Sequence, residues 1–346
     1  MNLIDLGYRD ELAYDGDETY LARVIREHKG HYTIQSTEAT YQAVVRGRLH
    51  HEAQSRLELP AVGDWVEITP QAHGQAMIER LIPRFSAITR KVAGLKTEAQ
   101  IIAANVTKVF IVISSAEPLN KRKLERYLSV VWDSGASPIV ILSKADLSVA
   151  AEEIKQEVID LAHGIPVELW SAETEVGKAG LYELIRPADT IVLMGSSGVG
   201  KSTLLNALFA EEKEKTGAIR EYDQRGRHTT THRELHVLPT GGIVIDTPGM
   251  REMQLWSSDN SGEDASFSDI VSLQQQCRFS DCSHTSEPDC AISQALADQT
   301  LEQGRWNNYL KLQREKAYAE RKQSARLASE QKKQWKKQTA NRKRHK

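Results

Sequence analysis

Residues Gly195-Ser196-Ser197-Gly198-Val199-Gly200-Lys201-Ser202 decide how this chain is read. They fit the spacing G-x-x-x-x-G-K-[ST] and stand between an apolar run, Ile191-Val192-Leu193-Met194, and a helical run, Thr203-Leu204-Leu205-Asn206-Ala207-Leu208. A strand–loop–helix of this composition turns backbone amides inward around phosphates, and the helix adds its positive end. Gly195, Ser196, Ser197, Gly198, Val199, Gly200 and Thr203 are expected to line the nucleotide. Lys201 is expected to reach the β- and γ-phosphates, and the Ser202 hydroxyl to coordinate Mg²⁺. A chance glycine-rich turn would not bring both flanking elements with it.

Three more motifs close apolar runs. Asp246-Thr247-Pro248-Gly249 follows Ile243-Val244-Ile245. There the Asp246 carboxylate can hold the Mg²⁺ shell through water, and the Gly249 amide can meet the γ-phosphate. Ser143-Lys144-Ala145-Asp146 follows Pro138-Ile139-Val140-Ile141-Leu142. Asp146 can accept from N1–H and the N2 amino group of guanine, whereas adenine would leave that carboxylate unpaired. An ATP-dependent P-loop enzyme is therefore disfavoured. Lys144 is expected over the base, with Ser171-Ala172, after Val167-Glu168-Leu169-Trp170, behind it. Asn is the usual first residue of the base motif. Ser143 is too short to make all the links of an Asn amide, so weaker affinity with retained guanine selectivity is expected. In an ordinary G domain the phosphate loop opens the domain and base recognition closes it. Here the base motif comes first, so the domain is circularly permuted, which moves the termini and leaves the site intact.

Around this lobe the sequence changes character. Short alternating segments at Tyr20–Ile25, Tyr32–Ile34, Tyr41–Val45, Trp65–Ile68 and Ala76–Ile78 mark half-buried strands of a small barrel. The oligonucleotide-binding form is favoured over an SH3-like one. From about residue 104 strands alternate with helices, which implies a mostly parallel sheet with ligand loops at the strand C-termini. The expected fold is α/β: a permuted P-loop GTPase-type domain over 100–260, a barrel over 1–90, and a helical zinc-binding domain with a basic tail over 261–346. No run approaches the ~20 apolar residues of a membrane span, and the N-terminus lacks signal-peptide character. A cytoplasmic monomer with no membrane association is expected.

The formal net charge of −2 conceals a polarised chain. Residues 311–346 hold fourteen Lys and Arg against three Glu, a balance of +11 that leaves −13 for the rest. Such a tail suits a polyanion, because each phosphate neutralised releases a counterion; a solvated helical face is the plainer reading. All three cysteines lie in Cys277-x₄-Cys282-x-His284-x₅-Cys290, a full tetrahedral set for structural Zn²⁺. Between the phosphate loop and Asp246 lies Arg225-Gly226-Arg227-His228-Thr229-Thr230-Thr231. Thr230 is expected to complete the Mg²⁺ shell, with Thr229 and Thr231 as alternatives. Met250 stands where many such enzymes place a water-orienting Gln, so His228 is the nearest polar candidate for that role. The competing reading of His228 is a basic loop that contacts RNA. Trp65, Trp306 and Trp335 could stack on bases but more often such residues pack.

A barrel, a permuted G domain with its Arg-Gly-Arg-His-Thr-Thr-Thr loop, and this Cys₃His spacing resemble the ribosome small subunit-dependent GTPase A family. Matching stretches run from Gly63-Asp64-Trp65-Val66 through Gln100-Ile101-Ile102-Ala103-Ala104-Asn105-Val106 and Arg126-Tyr127-Leu128 to the cysteine cluster. The resemblance implies a bacterial GTPase that converts GTP to GDP in late maturation of the small ribosomal subunit and is stimulated by it. The subunit and its rRNA would be partners, and His228 the catalytic residue beside Lys201 and Thr230. Ser143 departs from the family pattern, as does Thr107, where an Asp is common. An RNA-binding assembly module with a degenerate, non-catalytic nucleotide fold is the rival reading, and intact Lys201, Ser202 and Asp246 argue against it.

Overall fold

Alternation in the first 85 residues places every second side chain of each strand on one face, and those faces close on one another. The structure is a computed structural model that describes residues 1–346 apart from 13, 29, 54, 92–98, 163, 217–232, 240, 248–266, 280, 285–286 and 315–346. Strands β1 (Leu21–His28), β2 (His31–Ser36), β3 (Thr40–Val45), β4 (Trp65–Pro70) and β5 (Gln75–Leu81) form the barrel, with a short helix α1 (Gly47–Glu52) between β3 and β4. The pairs β1–β2, β2–β3, β4–β5 and β1–β4 are antiparallel, and β3–β5 is parallel. This closed five-stranded Greek-key path is that of an oligonucleotide-binding barrel. Val24, Ile34, Val66, Ile68 and Ile78 fill its interior.

A hairpin follows, β6 (Ala87–Lys91) against β7 (Ala99–Ala104). Then come β8 (Lys108–Ser114), α2 (Lys121–Asp133), β9 (Ser137–Ser143), α3 (Ala151–Leu161), β10 (Val167–Leu169), α4 (Lys178–Glu183), β11 (Thr190–Met194), α5 (Lys201–Thr216), β12 (Glu234–Val237) and β13 (Ile243–Asp246). Their order in the sheet is β10-β9-β8-β11-β13-β12. All run parallel except β12. The phosphate-loop strand β11 is thus central, with β8, β9 and β10 from earlier in the chain on one side and β13 and β12 from later in the chain on the other. Val109 and Ile111 join the core on one face, Phe110 and Val112 that on the other, which is why β8 reads as an unbroken apolar run.

The barrel and the nucleotide lobe, expected as separate stretches, lie in one contact unit, Met1–Ser266, and share one eleven-stranded sheet. The seam is the antiparallel pair β1–β12, in register at Arg26 and Glu234, where the two side chains form an ion pair. Arg23 seals it. Fully buried, its guanidinium donates to the carbonyls of Leu6, Gly63 and Asn105 and to Thr190 Oγ1, and it lies 5.5 Å from the Trp65 ring. Burial pushes its pKa down, with the Asp64 charge opposing. Gly63 has φ +94°, and a Cβ there would stand 2.2 Å from the Ala104 carbonyl oxygen, so barrel and hairpin approach at a point only glycine permits. At the strand N-termini buried Asp189 gathers Lys108 Nζ at 2.5 Å, the Thr107 hydroxyl at 3.1 Å and Arg9 at 3.4 Å. Thr107 therefore serves this network, at the end of the sheet opposite the phosphate loop.

The second unit is Phe267–Lys346. Its described part packs α6 (Ser268–Gln275), α7 (Ala291–Ala297) and helical residues 303–314 around Phe267, Ile270, Ile292, Trp306 and Tyr309. Trp65 and Trp306 are both buried, so they act as packing residues; Trp335 lies outside the described residues. Among the described residues no helix is long and apolar enough to cross a membrane.

Candidate nucleotide and metal sites

Because β8, β9, β10, β11 and β13 are parallel, their C-terminal ends share one edge. The base motif leaves β9, Ser171-Ala172 lies just past β10, the phosphate loop leaves β11 and Asp246 ends β13. One edge therefore collects motifs separated by a hundred residues of chain.

The phosphate loop is bent by its glycines. Gly195, Gly198 and Gly200 all have positive φ, and a Cβ on Gly195 would come 2.3 Å from the Val112 carbonyl oxygen. Beneath the loop Val199 is buried in the core, while Ser197 and Gly198 face solvent. Lys201 folds over the loop and donates to the carbonyl oxygens of Gly195 at 2.8 Å and Ser196 at 2.5 Å. Ser202 and Thr203 lie exposed in the first turn of α5, where helix amides point at a bound anion.

Side-chain hydrogen bonds join the base motif to its surroundings. Ser143, fully buried, places its Oγ 2.6 Å from the Val199 carbonyl and 3.1 Å from that of Ile113. Its hydroxyl thus keeps the link to the phosphate loop, across 56 residues of sequence. Serine remains too short to reach a base as well. Ser171 donates to Asp146 Oδ1 at 2.6 Å and accepts the amides of Glu173 and Thr174 at 3.1 and 3.2 Å. Asp146 is itself exposed, so this bond fixes one carboxylate oxygen and leaves the other open. Lys144 adopts a left-handed φ of 59°, a strained backbone that clusters at functional turns. Ala172 is exposed beside Ser171.

At the end of β13 burial raises the Asp246 carboxyl above its ordinary range, and a nearby Glu234 adds to this while His236 opposes it. The donor set of Ser202 hydroxyl and Asp246 carboxylate suits Mg²⁺, which takes oxygen ligands and keeps several waters. Arg225, Gly226, Arg227, His228, Thr229, Thr230, Thr231, Gly249 and Met250 lie outside the described residues.

In the second unit Cys277, Cys282, His284 and Cys290 bring their ligand atoms within 4.8 Å of one another. Cys277 Sγ is 4.0 Å from Cys290 Sγ, and His284 Nδ1 is 3.6 and 3.5 Å from those two sulfurs. A tetrahedron with Zn–S bonds of ~2.3 Å has edges of about 3.8 Å, so the cluster is close to the size a tetrahedral zinc requires. Burial would raise the Cys290 thiol, but the Ser293 amide, His284 and Cys282 outweigh it and bring it down to about 6, while burial and its neighbours push Cys282 up to about 11. Cys290 also caps α7, accepting the Ser293 amide at 3.4 Å. The His284 ring is held by Trp306 edge-on at 5.6 Å and by the Gln274 side chain 3.2 Å from Nε2. Such outer partners orient a metal-bound imidazole. No spacing in the sequence marks them, since only the tertiary packing brings them to the ring.

Comparison with known proteins agrees with this geometry. The profile of the RsgA GTPase family matches residues 81–256, and that of the RsgA N-terminal domain matches 22–78. The small ribosomal subunit biogenesis GTPase RsgA 1 of Oceanobacillus iheyensis is 55% identical over 331 residues, covering 95% of this chain and 94% of its own. The corresponding RsgA of Opitutus terrae is 41% identical over 351 residues, covering 97% and 96%. Among solved structures, YjeQ from Thermotoga maritima aligns with a TM-score of 0.65 at 26% identity, over 86% of this chain and 98% of that one. YloQ, described as a circularly permuted GTPase, aligns with a TM-score of 0.61 at 25% identity, over 86% and 95%.

Proposed function

This chain belongs to the RsgA GTPase family, and from that premise we propose that it hydrolyses GTP to GDP on the small ribosomal subunit, late in that subunit's maturation, and is stimulated by it. It is a circularly permuted, GTP-hydrolysing enzyme of ribosome biogenesis. The observation that supports the nucleotide reading best is the pair of bonds Ser171–Asp146 and Ser143–Val199. They tie the base motif to its backing loop and to the phosphate loop, so these two loops need less ordering on binding.

We assign the residue roles from the motifs, and for the described residues their place at the shared sheet edge supports the assignment. Asp146 reads the guanine edge, steadied by Ser171; Lys144 covers the base and Ala172 backs it. The amides from Gly195 to Thr203 enclose the phosphates, with Lys201 balancing charge at the β- and γ-phosphates. Bound Mg²⁺ would neutralise developing charge between those phosphates, held by Ser202, by Thr230 and, through water, by Asp246. Gly249 meets the γ-phosphate and His228 orients the attacking water. Zn²⁺ on Cys277, Cys282, His284 and Cys290 would be structural, because four protein ligands leave no open position. Three working parts follow: an RNA-binding barrel over 1–90, the GTPase over 100–260, and a zinc-binding part with its basic tail over 261–346. The +11 balance of residues 311–346 and the barrel offer rRNA-facing surfaces on a cytoplasmic monomer. Equilibrium binding of GTP, GDP and ATP to the purified chain tests the site: guanine nucleotides should bind far more tightly, and equal affinity for ATP would refute the role of Asp146.

A further inference from the structure

Helix α2 opens with three consecutive cations, Lys121-Arg122-Lys123, and no acid stands in its first turn. Cations there oppose the positive end of the helix dipole, so the arrangement is unfavourable for the helix alone. Lys121 is offset by Glu157 at 3.5 Å. Lys123 pairs with no carboxylate among the described residues. Its Nζ lies 5.9 Å from the centroid of the Tyr127 ring and donates to Ser196 Oγ at 2.5 Å.

Ser196 is the second residue of the phosphate loop, and its carbonyl also accepts from Lys201 Nζ at 2.5 Å. Two ammonium groups, from helices at opposite ends of the lobe's sequence, converge on one residue. Serine's dimensions place them within about 10 Å of each other. We propose that Lys123 is a second phosphate-loop cation: a positioning residue that braces Ser196 and adds a positive field felt more by a nucleoside triphosphate than by a diphosphate. This rests on the nucleotide reading of the loop. The selectivity arises because the triphosphate carries the extra negative charge, and charges this near are only partly screened by salt. An ordinary surface lysine would leave the ratio of the two affinities untouched.

The test is titration of full-length wild type, Lys123→Ala and Lys123→Arg with fluorescent GDP and a fluorescent non-hydrolysable GTP analogue, each with Mg²⁺. Thermal melts and zinc content confirm that the variants are folded. Lys123→Ala should weaken the analogue by about fivefold and GDP by about twofold, and the loss should shrink at about 0.5 M salt. Lys123→Arg, which keeps the charge, should retain the preference. Unchanged affinities in Lys123→Ala overturn the inference, as does an equal loss for both nucleotides. Wild type that binds neither nucleotide overturns the site reading itself, and the inference with it.

Discussion

Replacing Ser171 with alanine should cost guanine affinity although Ser171 need never touch the base. Its hydroxyl donates to Asp146 Oδ1 at 2.6 Å and accepts two amides of the following turn. A hydrogen bond to a charged group is worth about 1.5–3 kcal/mol when one partner is removed. Asp146 is exposed, so the lower end applies, about 1.5 kcal/mol, which is a rise of a little over tenfold in Kd. The loss should be equal for GTP and GDP, since both present the same base, and ATP binding should not change. Ser171→Thr keeps the hydroxyl and should stay within about twofold of wild type. Fluorescent-nucleotide titration reads all of these directly. A Kd for GDP in Ser171→Ala within twofold of wild type, or a parallel loss for ATP, would refute the idea that Ser171 orients Asp146.

Cys282→Ser should abolish the stoichiometric zinc expected of a four-ligand site and destabilise the second unit while nucleotide binding persists; elemental analysis with nucleotide titration checks both halves. His228→Ala should retain GTP binding and slow hydrolysis by roughly 10²–10⁴-fold, as for a positioned polar catalytic group, so a wild-type rate would move water orientation to another residue. Arg23→Met strands the acceptors now served by the buried guanidinium and should cost about 3–5 kcal/mol, since each buried polar group left unsatisfied costs about 1–3 kcal/mol. Calorimetry should show the melting transition lowered by roughly 10 °C, and a shift under about 2 °C would mean the seam between barrel and lobe is held by other contacts.

The parts of this fold that were legible in the sequence are those whose signal is local. Gly195–Ser202 announces itself because every residue of a phosphate loop is set by its neighbours, and the barrel strands because alternation survives any packing. The hairpin β6–β7 escaped notice: Ile101-Ile102-Ala103-Ala104 is continuous apolar sequence and shows no alternation to read. Arg23 misleads for a related reason. In Leu21-Ala22-Arg23-Val24 it reads as the solvent-facing member of an alternating strand, yet it is fully buried, because the outer face of β1 is covered by the N-terminal segment and the nucleotide lobe. The links Ser143–Val199, Ser171–Asp146 and Lys123–Ser196 are tertiary, each joining different strand ends or helices, and no spacing rule announces them. The metal cluster was legible for its four ligands and silent about Trp306 and Gln274, which hold the imidazole from elsewhere in the unit.

The most direct test is GTP turnover by the purified chain with and without purified small ribosomal subunits at low salt. Slow intrinsic hydrolysis that rises on addition of subunits, and loses that rise as salt strips the phosphate contacts, is the predicted result. Turnover indifferent to the subunits at low salt would contradict the account.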